Sequence, residues 1–361
     1  MLKNTHIWLT SYIAQCLAKR RSSFNGPIHI MFCMADHFEP MWNKPQYETE
    51  AKRVERWVLG YPKIAGRFID SDGKHPQYTF FYPQEEYRKE HLSRLQQLCS
   101  LGFGEIEIHL HHDNDTEEGL TEKLNDFKEK LSQHGLLSHN GSGDIKYGFI
   151  HGNWALANSR KDRTRCGVNN ELEILKKTGC YADFTLPSAP SDTQTRKINS
   201  IYYAKSNARK PKSHNTGIDV EKGKNPSGDL MIIQGPLSLN FKNRKWGILP
   251  RIENGELSFN NPPTGQRVDL WIEQNICVKG KPDWIFIKVY THGAQEKNAQ
   301  CLLSGKMETM FLYLEEKYNN KKDYFLHYVT AREMYNIIKA AEAGMDGNPG
   351  NFRDYVLKKA Q

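Results

Sequence analysis

Short apolar runs alternate with helical stretches along this chain, and this alternation is the feature that most restricts its fold. The runs that have the length and pattern of strands are residues 28–34, 77–82, 105–111, 145–150, 181–186, 229–234 and 284–290, with 324–329 as an eighth candidate. Strands that alternate with helices form parallel sheets, and seven or eight such units in one chain predict an α/β barrel.

The most informative strand end lies within residues 105–115, E-I-E-I-H-L-H-H-D-N-D. His109 and His111 share one face of this strand, because residues two apart in a strand point the same way. A polar loop that contains Asp113 follows at once. Imidazole nitrogens beside carboxylate oxygens are donors that a divalent metal prefers. The stretch therefore predicts a metal site.

Ionisable and polar residues also end three other predicted strands. These residues are Asp36, His37, His151, Asn153 and His292. Ionisable side chains at the end of an apolar strand are costly to bury unless they are paired or bind something. Barrel enzymes build their active sites on the rim formed by the C-terminal ends of the strands. We therefore predict that these residues converge with the histidine strand.

Composition restricts the class of protein. No run approaches the roughly 20 apolar residues that a membrane span requires, so no integral membrane segment is expected. The net charge of +8 comes without a long basic run and does not indicate nucleic-acid binding. The seven cysteines include no C-x-x-C pair, which favours a reducing compartment over a disulfide framework. The N-terminus does not match a secretory signal, so the expected location is cytoplasmic.

The chain is predicted to form one main domain. Residues 1–26 are expected to be a helical extension, residues 27–345 a single barrel domain, and residues 346–361 a tail or helix. An insertion over residues 204–263 begins with a lysine-rich loop, 204–228. It continues with short segments and an Asn254-Gly255 turn that predict a small β-hairpin. The oligomeric state is not predicted.

The order of these strand-end motifs resembles that of the polysaccharide deacetylases in the glycoside hydrolase/deacetylase superfamily. The motifs are Ala35-Asp36-His37, the histidine run that starts at His109, His151-Gly152-Asn153-Trp154, and the final strand that ends in His292. They cover residues 28–293, and each is short. The resemblance implies a deformed (β/α)7 TIM-like barrel. It also implies a divalent metal, with zinc as the first expectation, and removal of acetyl groups from an N-acetylated or O-acetylated glycan.

The resemblance also implies roles for individual residues. Asp36 matches the catalytic base, and His292 matches the general acid. His37 falls where the family has a metal-binding aspartate, and His109 matches the first histidine of its H-x-x-x-H motif. The second histidine of that motif is replaced by Asp113, so either Asp113 or His111 completes the metal ligands. The third motif lacks the arginine that is usual in the family.

The remaining predicted site residues would contact the substrate. Trp42, Tyr82 and Trp154 are expected platforms for sugar stacking. His151, Asn153 and Asp183 are further candidates for substrate contact. Two other functions stay open: a glycoside hydrolase with Asp36 and Asp183 as paired carboxylates, and a glycan-binding or assembly protein without catalysis.

Overall fold

The structure is a computed structural model that describes residues 3–19 and 26–360. Residues 1–2, 20–25 and 361, which belong to the predicted N-terminal extension and C-terminal tail, lie outside the described residues. Within the extension, the structure has a helix, α1 (Leu9–Lys19). The side chain of Trp8 is buried just before it and packs against Ala189, Ile198 and Leu237 of the main body.

The described residues form fourteen strands and nine α-helices. The strands are β1 (Ile28–His37), β2 (Tyr78–Pro83), β3 (Gly104–Leu110), β4 (Ser138–His139), β5 (Ile145–His151), β6 (Cys180–Asp183), β7 (Ile201–Ala204), β8 (Ile218–Asp219), β9 (Leu230–Ile233), β10 (Ser238–Lys245), β11 (Leu249–Glu253), β12 (Glu256–Leu257), β13 (Trp284–Thr291) and β14 (Tyr324–Tyr328). The helices after α1 are α2 (Tyr47–Ala65), α3 (Lys89–Ser100), α4 (Glu117–Gln133), α5 (Glu171–Thr178), α6 (Gly265–Glu273), α7 (Glu296–Leu302), α8 (Gly305–Tyr318) and α9 (Ala331–Glu342).

The central sheet has twelve strands in the described part of the chain and is mostly parallel. Its main order is β12-β13-β1-β2-β3-β5-β6-β9-β7-β8, with β14 also paired to β1 and β4 to β5. In this order, every neighbouring pair of strands from β13 to β9 is parallel, whereas β7 runs antiparallel to both β9 and β8. The predicted α/β class with a parallel sheet is therefore confirmed. The antiparallel strand β7 was not predicted.

The sheet is buried on both faces, as parallel sheets are. On β1, Ile30, Phe32 and Met34 belong to a core cluster shared with helices α2, α3, α4 and α8. The intervening Met31, Cys33 and Ala35 face the opposite side of the sheet and belong to a second cluster. This second cluster also contains residues of β2, β5, β6, β7, β9, β13 and α9. Side chains from strands far apart in the sheet order therefore meet on one face.

The insertion contains the predicted hairpin. Strands β10 and β11 pair with each other as a separate two-stranded antiparallel sheet. The lysine-rich segment that precedes them is mostly loop and contributes only the two-residue strand β8. As to membranes, none of the helices in the described ranges has the length and apolar character needed to cross a bilayer.

Candidate metal site

A pocket of about 250 Å³ opens where β1, β3, β5 and β13 reach their C-terminal ends. Its lining consists of His37, Glu39, Trp42, His111, Asn153, Trp154, His292 and Gln295. Strands β1 and β13 pair in parallel with Asp36 opposite Thr291, so the residues that follow, His37 and His292, emerge side by side. Parallel strands thus gather residues that are far apart in sequence on one rim, as the sequence predicts.

Glu39 lies at the centre of the cluster. Its Oε1 atom is 3.3 Å from Nε2 of His109 and 3.4 Å from Nε2 of His111. Bonds of about 2.0–2.1 Å to a tetrahedral zinc ion separate neighbouring nitrogen or oxygen ligands by about 3.3 Å. These three side chains therefore have the donor types and the spacing of a metal site. Glu39 also groups with His37 and His292 as a second possible donor set.

The outer nitrogens of both imidazoles contact hydrogen-bond acceptors. Nδ1 of His109 donates to the carbonyl oxygen of Ile150 at 2.8 Å. Nδ1 of His111 is 2.5 Å from Oε1 of Glu85, which lies just after β2. Because a carbonyl or carboxylate lies at each Nδ1, the Nε2 atom of each ring is directed towards Glu39, and Nε2 of His109 is within hydrogen-bonding distance of its Oε1. Metal-binding histidines are oriented in this way by outer partners.

Burial and neighbouring charges set the ionisation of the cluster. Burial, with the adjacent His292 and His109, holds the pKa of His37 well below its usual range. Burial also lowers the pKa of His292. Burial would raise the pKa of Glu39, but the hydrogen bond with His109 and the nearby imidazoles outweigh it and lower that pKa. Burial would lower the pKa of His111, but the hydrogen bond and the charge of Glu85 outweigh it and raise that pKa. Because metals bind neutral imidazoles and ionised carboxylates, metal binding at His111 would release a proton.

Asp36 is fully buried and is not among the residues that line the pocket. Its carboxylate accepts hydrogen bonds from the backbone N–H of Gly293 at 2.6 Å and from the hydroxyl of Tyr78 at 3.0 Å. Burial raises the pKa of Asp36 to about 7. A Cβ atom on Gly293 would lie 2.2 Å from this carboxylate, so only glycine fits here. Asp36 thus fixes the backbone directly after His292.

The other predicted residues fall into two groups. Asn153 and Trp154 line the pocket, and both have left-handed backbone conformations. Asp113 lies outside the cluster, where its carboxylate accepts a hydrogen bond from the backbone of Arg165. Asp183 is buried and accepts hydrogen bonds from Thr185, away from the pocket lining. His151 is buried and faces a different group of side chains, described below.

Sequence reasoning did not assign three residues that the structure places here: Glu39, Glu85 and Gln295. Glu39 follows the strand that carries His37, and its place in D-H-F-E at the end of a buried strand was a usable signal. Glu85 comes from a turn after β2 and Gln295 from the loop after β13, and no local pattern marks either residue. Of the other two predicted stacking residues, Trp42 precedes α2 and is 42% exposed, whereas Tyr82 is fully buried.

A second cavity, of about 1000 Å³, lies elsewhere. Its basic lining residues are Lys161, Arg163, Arg196, Lys205, Lys210 and Lys212. None of the side chains of the candidate metal site lines it. We therefore take the smaller pocket as the candidate site, because it alone of the two contains the convergent histidines.

Comparisons with known proteins add no assignment. No protein family matches the sequence, and no curated protein matches it significantly. The case for function therefore depends on the site itself.

Proposed function

We propose that this protein is a metal-dependent hydrolase that removes acetyl groups from an N-acetylated or O-acetylated glycan. One observation carries the proposal: Glu39, His109 and His111 converge at donor spacing beside a solvent-accessible pocket, with His37 and His292 on its wall. The donor chemistry fits zinc, which takes nitrogen and oxygen ligands and keeps an open position in catalytic sites.

We further propose that the sheet is curved into a deformed barrel of the kind expected from the sequence. The side chain of Lys288, on β13, is buried and donates hydrogen bonds to the carbonyl oxygens of Phe184 and Leu186, just after β6. Gly235, just after β9, approaches the backbone of Lys288 so closely that a Cβ atom would lie 2.3 Å from its carbonyl oxygen. These contacts join the part of the sheet around β6 and β9 to β13. In the described residues, β9 and β13 are not paired by backbone hydrogen bonds.

Glu39, His109 and His111 are the proposed metal ligands. The carbonyl of Ile150 orients His109, and the carboxylate of Glu85 orients His111. When bound, a divalent metal supplies a Lewis acid that acidifies water and polarises a carbonyl oxygen. This choice leaves His37 and His292 free to move protons.

His37 and His292 are suited to acid and base catalysis. The ring centroids of the two imidazoles are 4.7 Å apart, so both can reach one reacting group. The low pKa of His37 keeps its imidazole neutral, the form that accepts a proton from attacking water. That proton passes from His37 to the adjacent His292, which donates it to the leaving nitrogen or oxygen as the bond to the acetyl carbon breaks, so both imidazoles end neutral. Acetate and a free amine or hydroxyl are the products.

The pocket wall also fits a sugar. Trp42 and Trp154 both line it, and the ring centroid of Trp154 is 6.4 Å from that of His292. Indole rings stack on the apolar faces of sugars. The amide of Asn153 adds a polar group beside them. A pocket of this volume admits an acetyl group and part of one sugar ring.

Acetate release tests the proposed activity. Purified protein loaded with zinc is incubated with N-acetylated oligosaccharides and with acetylated xylan fragments, and acetate is measured by a coupled assay. Replacing His292 with glutamine is expected to lower the rate by about 100-fold or more, the contribution of a general acid, while zinc content stays unchanged. His6→Ala, which removes an exposed histidine, is the matched control. Absence of acetate release from every substrate by zinc-loaded protein would refute the proposal.

Asp36 is assigned a positioning role here, in place of the base predicted from the sequence. Asp36→Asn keeps an acceptor for Gly293 and a polar partner for Tyr78, so we expect activity to fall by less than about 10-fold. Asp36→Ala removes both contacts, and a displacement of His292 by about 1 Å would cost about 100-fold. The measurement is kcat/KM for both variants. If kcat/KM falls equally and by a large factor in both variants, Asp36 acts as the catalytic base and the positioning role is wrong.

A further inference from the structure

A second group of metal-binding side chains lies next to the pocket but is closed to solvent. It consists of His112 just after β3, His151 at the end of β5, Cys166 in the following loop and Glu171 at the start of α5. All four side chains are fully buried. One donor atom from each lies within 4.8 Å of the other three.

The shortest distances match the edges of a coordination tetrahedron. Oε1 of Glu171 is 3.2 Å from Nε2 of His112 and 3.4 Å from Nε2 of His151. Oε2 of Glu171 is 3.5 Å from Sγ of Cys166. Zinc bonds of about 2.0–2.1 Å to nitrogen or oxygen and about 2.3 Å to sulfur place neighbouring ligands about 3.3–3.6 Å apart. These distances involve both oxygens of Glu171, and one donor atom from each of the four residues can surround a metal ion.

An outer hydrogen bond turns His151 towards the centre of the group, and the Asp115 carboxylate lies close to the outer nitrogen of His112 without forming a hydrogen bond to it. Nδ1 of His151 donates to the carbonyl oxygen of Gly152 at 2.6 Å. Nδ1 of His112 lies 3.1 Å from a carboxylate oxygen of Asp115, which Lys123 contacts in turn. Nε2 of His151 is buried and has no hydrogen-bond partner. An unpartnered buried nitrogen aimed at a carboxylate and a thiol needs a partner, and a metal ion provides one.

The surrounding backbone supports negative charge on the other two donors. The N–H groups of Asn158 and Val168 both donate to Sγ of Cys166, at 3.3 and 3.5 Å. The N–H of Ala157 donates to Oε2 of Glu171 at 2.6 Å. Hydrogen bonds of this kind around thiolate and carboxylate ligands are typical of the outer shell of metal sites.

Charge balance separates a metal site from a metal-free ion-pair network. A carboxylate that is buried among two imidazoles and a thiol is costly to hold unless a positive charge lies beside it. A divalent cation with one thiolate and one carboxylate has no net charge and satisfies the bare nitrogen of His151. We propose that His112, His151, Cys166 and Glu171 bind a structural zinc ion, distinct from the metal of the pocket. The thiolate selects zinc over magnesium or calcium, which prefer oxygen ligands.

The proposed ion has a structural role because four protein ligands leave it no open position. It ties the end of β3 to the segment 151–171, which connects β5 to α5. That segment has left-handed residues at Asn153, Trp154, Ala157 and Asn158. Such conformations persist only where the surroundings impose them. The ion thereby positions Asn153 and Trp154 on the pocket wall, and His112 beside the proposed ligand His111.

Cobalt substitution tests this site separately from the pocket. Full-length protein stripped of metal is reconstituted with Co²⁺, and metal content and near-ultraviolet absorption are recorded. We expect two Co²⁺ ions per chain and a charge-transfer band from a cobalt–thiolate bond. Cys166→Ser should remove that band and lower metal content by up to one ion. Cys180→Ser, at a buried cysteine of β6, is the matched control and should keep the band.

Each outcome decides the matter. Because the pocket contains no cysteine among its proposed ligands, a metal bound only there gives no thiolate band. Saturating Co²⁺ without a thiolate band, or a band unchanged in Cys166→Ser, would overturn the proposal. If Cys166→Ser does not fold, His151→Gln is measured instead. This variant must retain the thiolate band, and its visible Co²⁺ spectrum must shift because one nitrogen ligand is lost. An unshifted spectrum in that variant would also reject the site.

Discussion

Replacing His109 with alanine should release the metal of the pocket and abolish acetyl hydrolysis. Nε2 of His109 faces Glu39 from the interior of the sheet, with its ring fixed by the carbonyl of Ile150. Loss of an outer partner typically weakens metal binding by about 10–100-fold, and loss of a ligand should exceed that. We expect zinc affinity to fall by more than about 100-fold, and activity by about 1000-fold, since the metal contributes several kcal/mol of transition-state stabilisation.

The measurement is zinc affinity by chelator competition, paired with the rate of acetate release. Glu85→Gln is a control with a smaller expected effect, because it changes only the outer partner of His111. It should weaken zinc binding by about 10–100-fold. Cobalt bound at Cys166 reports whether the rest of the protein is intact. His109→Ala protein that keeps wild-type zinc affinity at the pocket would disprove the ligand assignment.

Replacing Arg332 with alanine should destabilise the whole domain. Arg332, in α9, is 3% exposed and forms bidentate contacts with the buried carboxylate of Glu105 at the start of β3. It also donates to the backbone carbonyls of Arg353 and Leu357, which hold the C-terminal segment on α9. Removing one partner of a buried ion pair leaves an uncompensated charge and costs about 3–5 kcal/mol.

Denaturant unfolding followed by circular dichroism measures this loss. Arg160→Ala is the control, because Arg160 pairs with Asp162 in an exposed loop, and exposed pairs contribute about 1 kcal/mol or less. Glu105→Gln should recover part of the stability when combined with Arg332→Ala, since no buried charge then remains. A loss in Arg332→Ala no larger than that in Arg160→Ala would contradict this account of the buried pair.

Periodicity was sufficient to predict eight strands of the central sheet, although not β7, and one side of the candidate site. The alternation in residues 105–111 correctly directs Ile106 and Ile108 to the helical layer, and Glu105, Glu107 and His109 to the other face. Parallel pairing then brings the strand ends together, which a repeated strand–helix pattern already implies. For this reason the sequence predicts that His37, His111 and His292 lie close together, and all three line the pocket.

Tertiary contacts decided what the sequence could not. Glu85 reaches His111 through a turn that follows β2. Cys166 and Glu171 meet His112 and His151 only because left-handed residues fold the loop after β5 back on itself. Asp113 has the spacing of a ligand, yet the chain turns it towards the backbone of Arg165. Spacing along a strand predicts which face a side chain takes, but loop conformation decides which partner it meets.

Anomalous diffraction at the zinc absorption edge tests the central claim most directly. Crystals of protein purified without chelators and supplied with zinc are measured on both sides of the edge. The account predicts a peak in the pocket, bounded by Glu39, His109 and His111, with a second peak among His112, His151, Cys166 and Glu171. An ordered pocket without anomalous density near Glu39 would contradict the proposed metal-dependent hydrolase, whatever the second position shows.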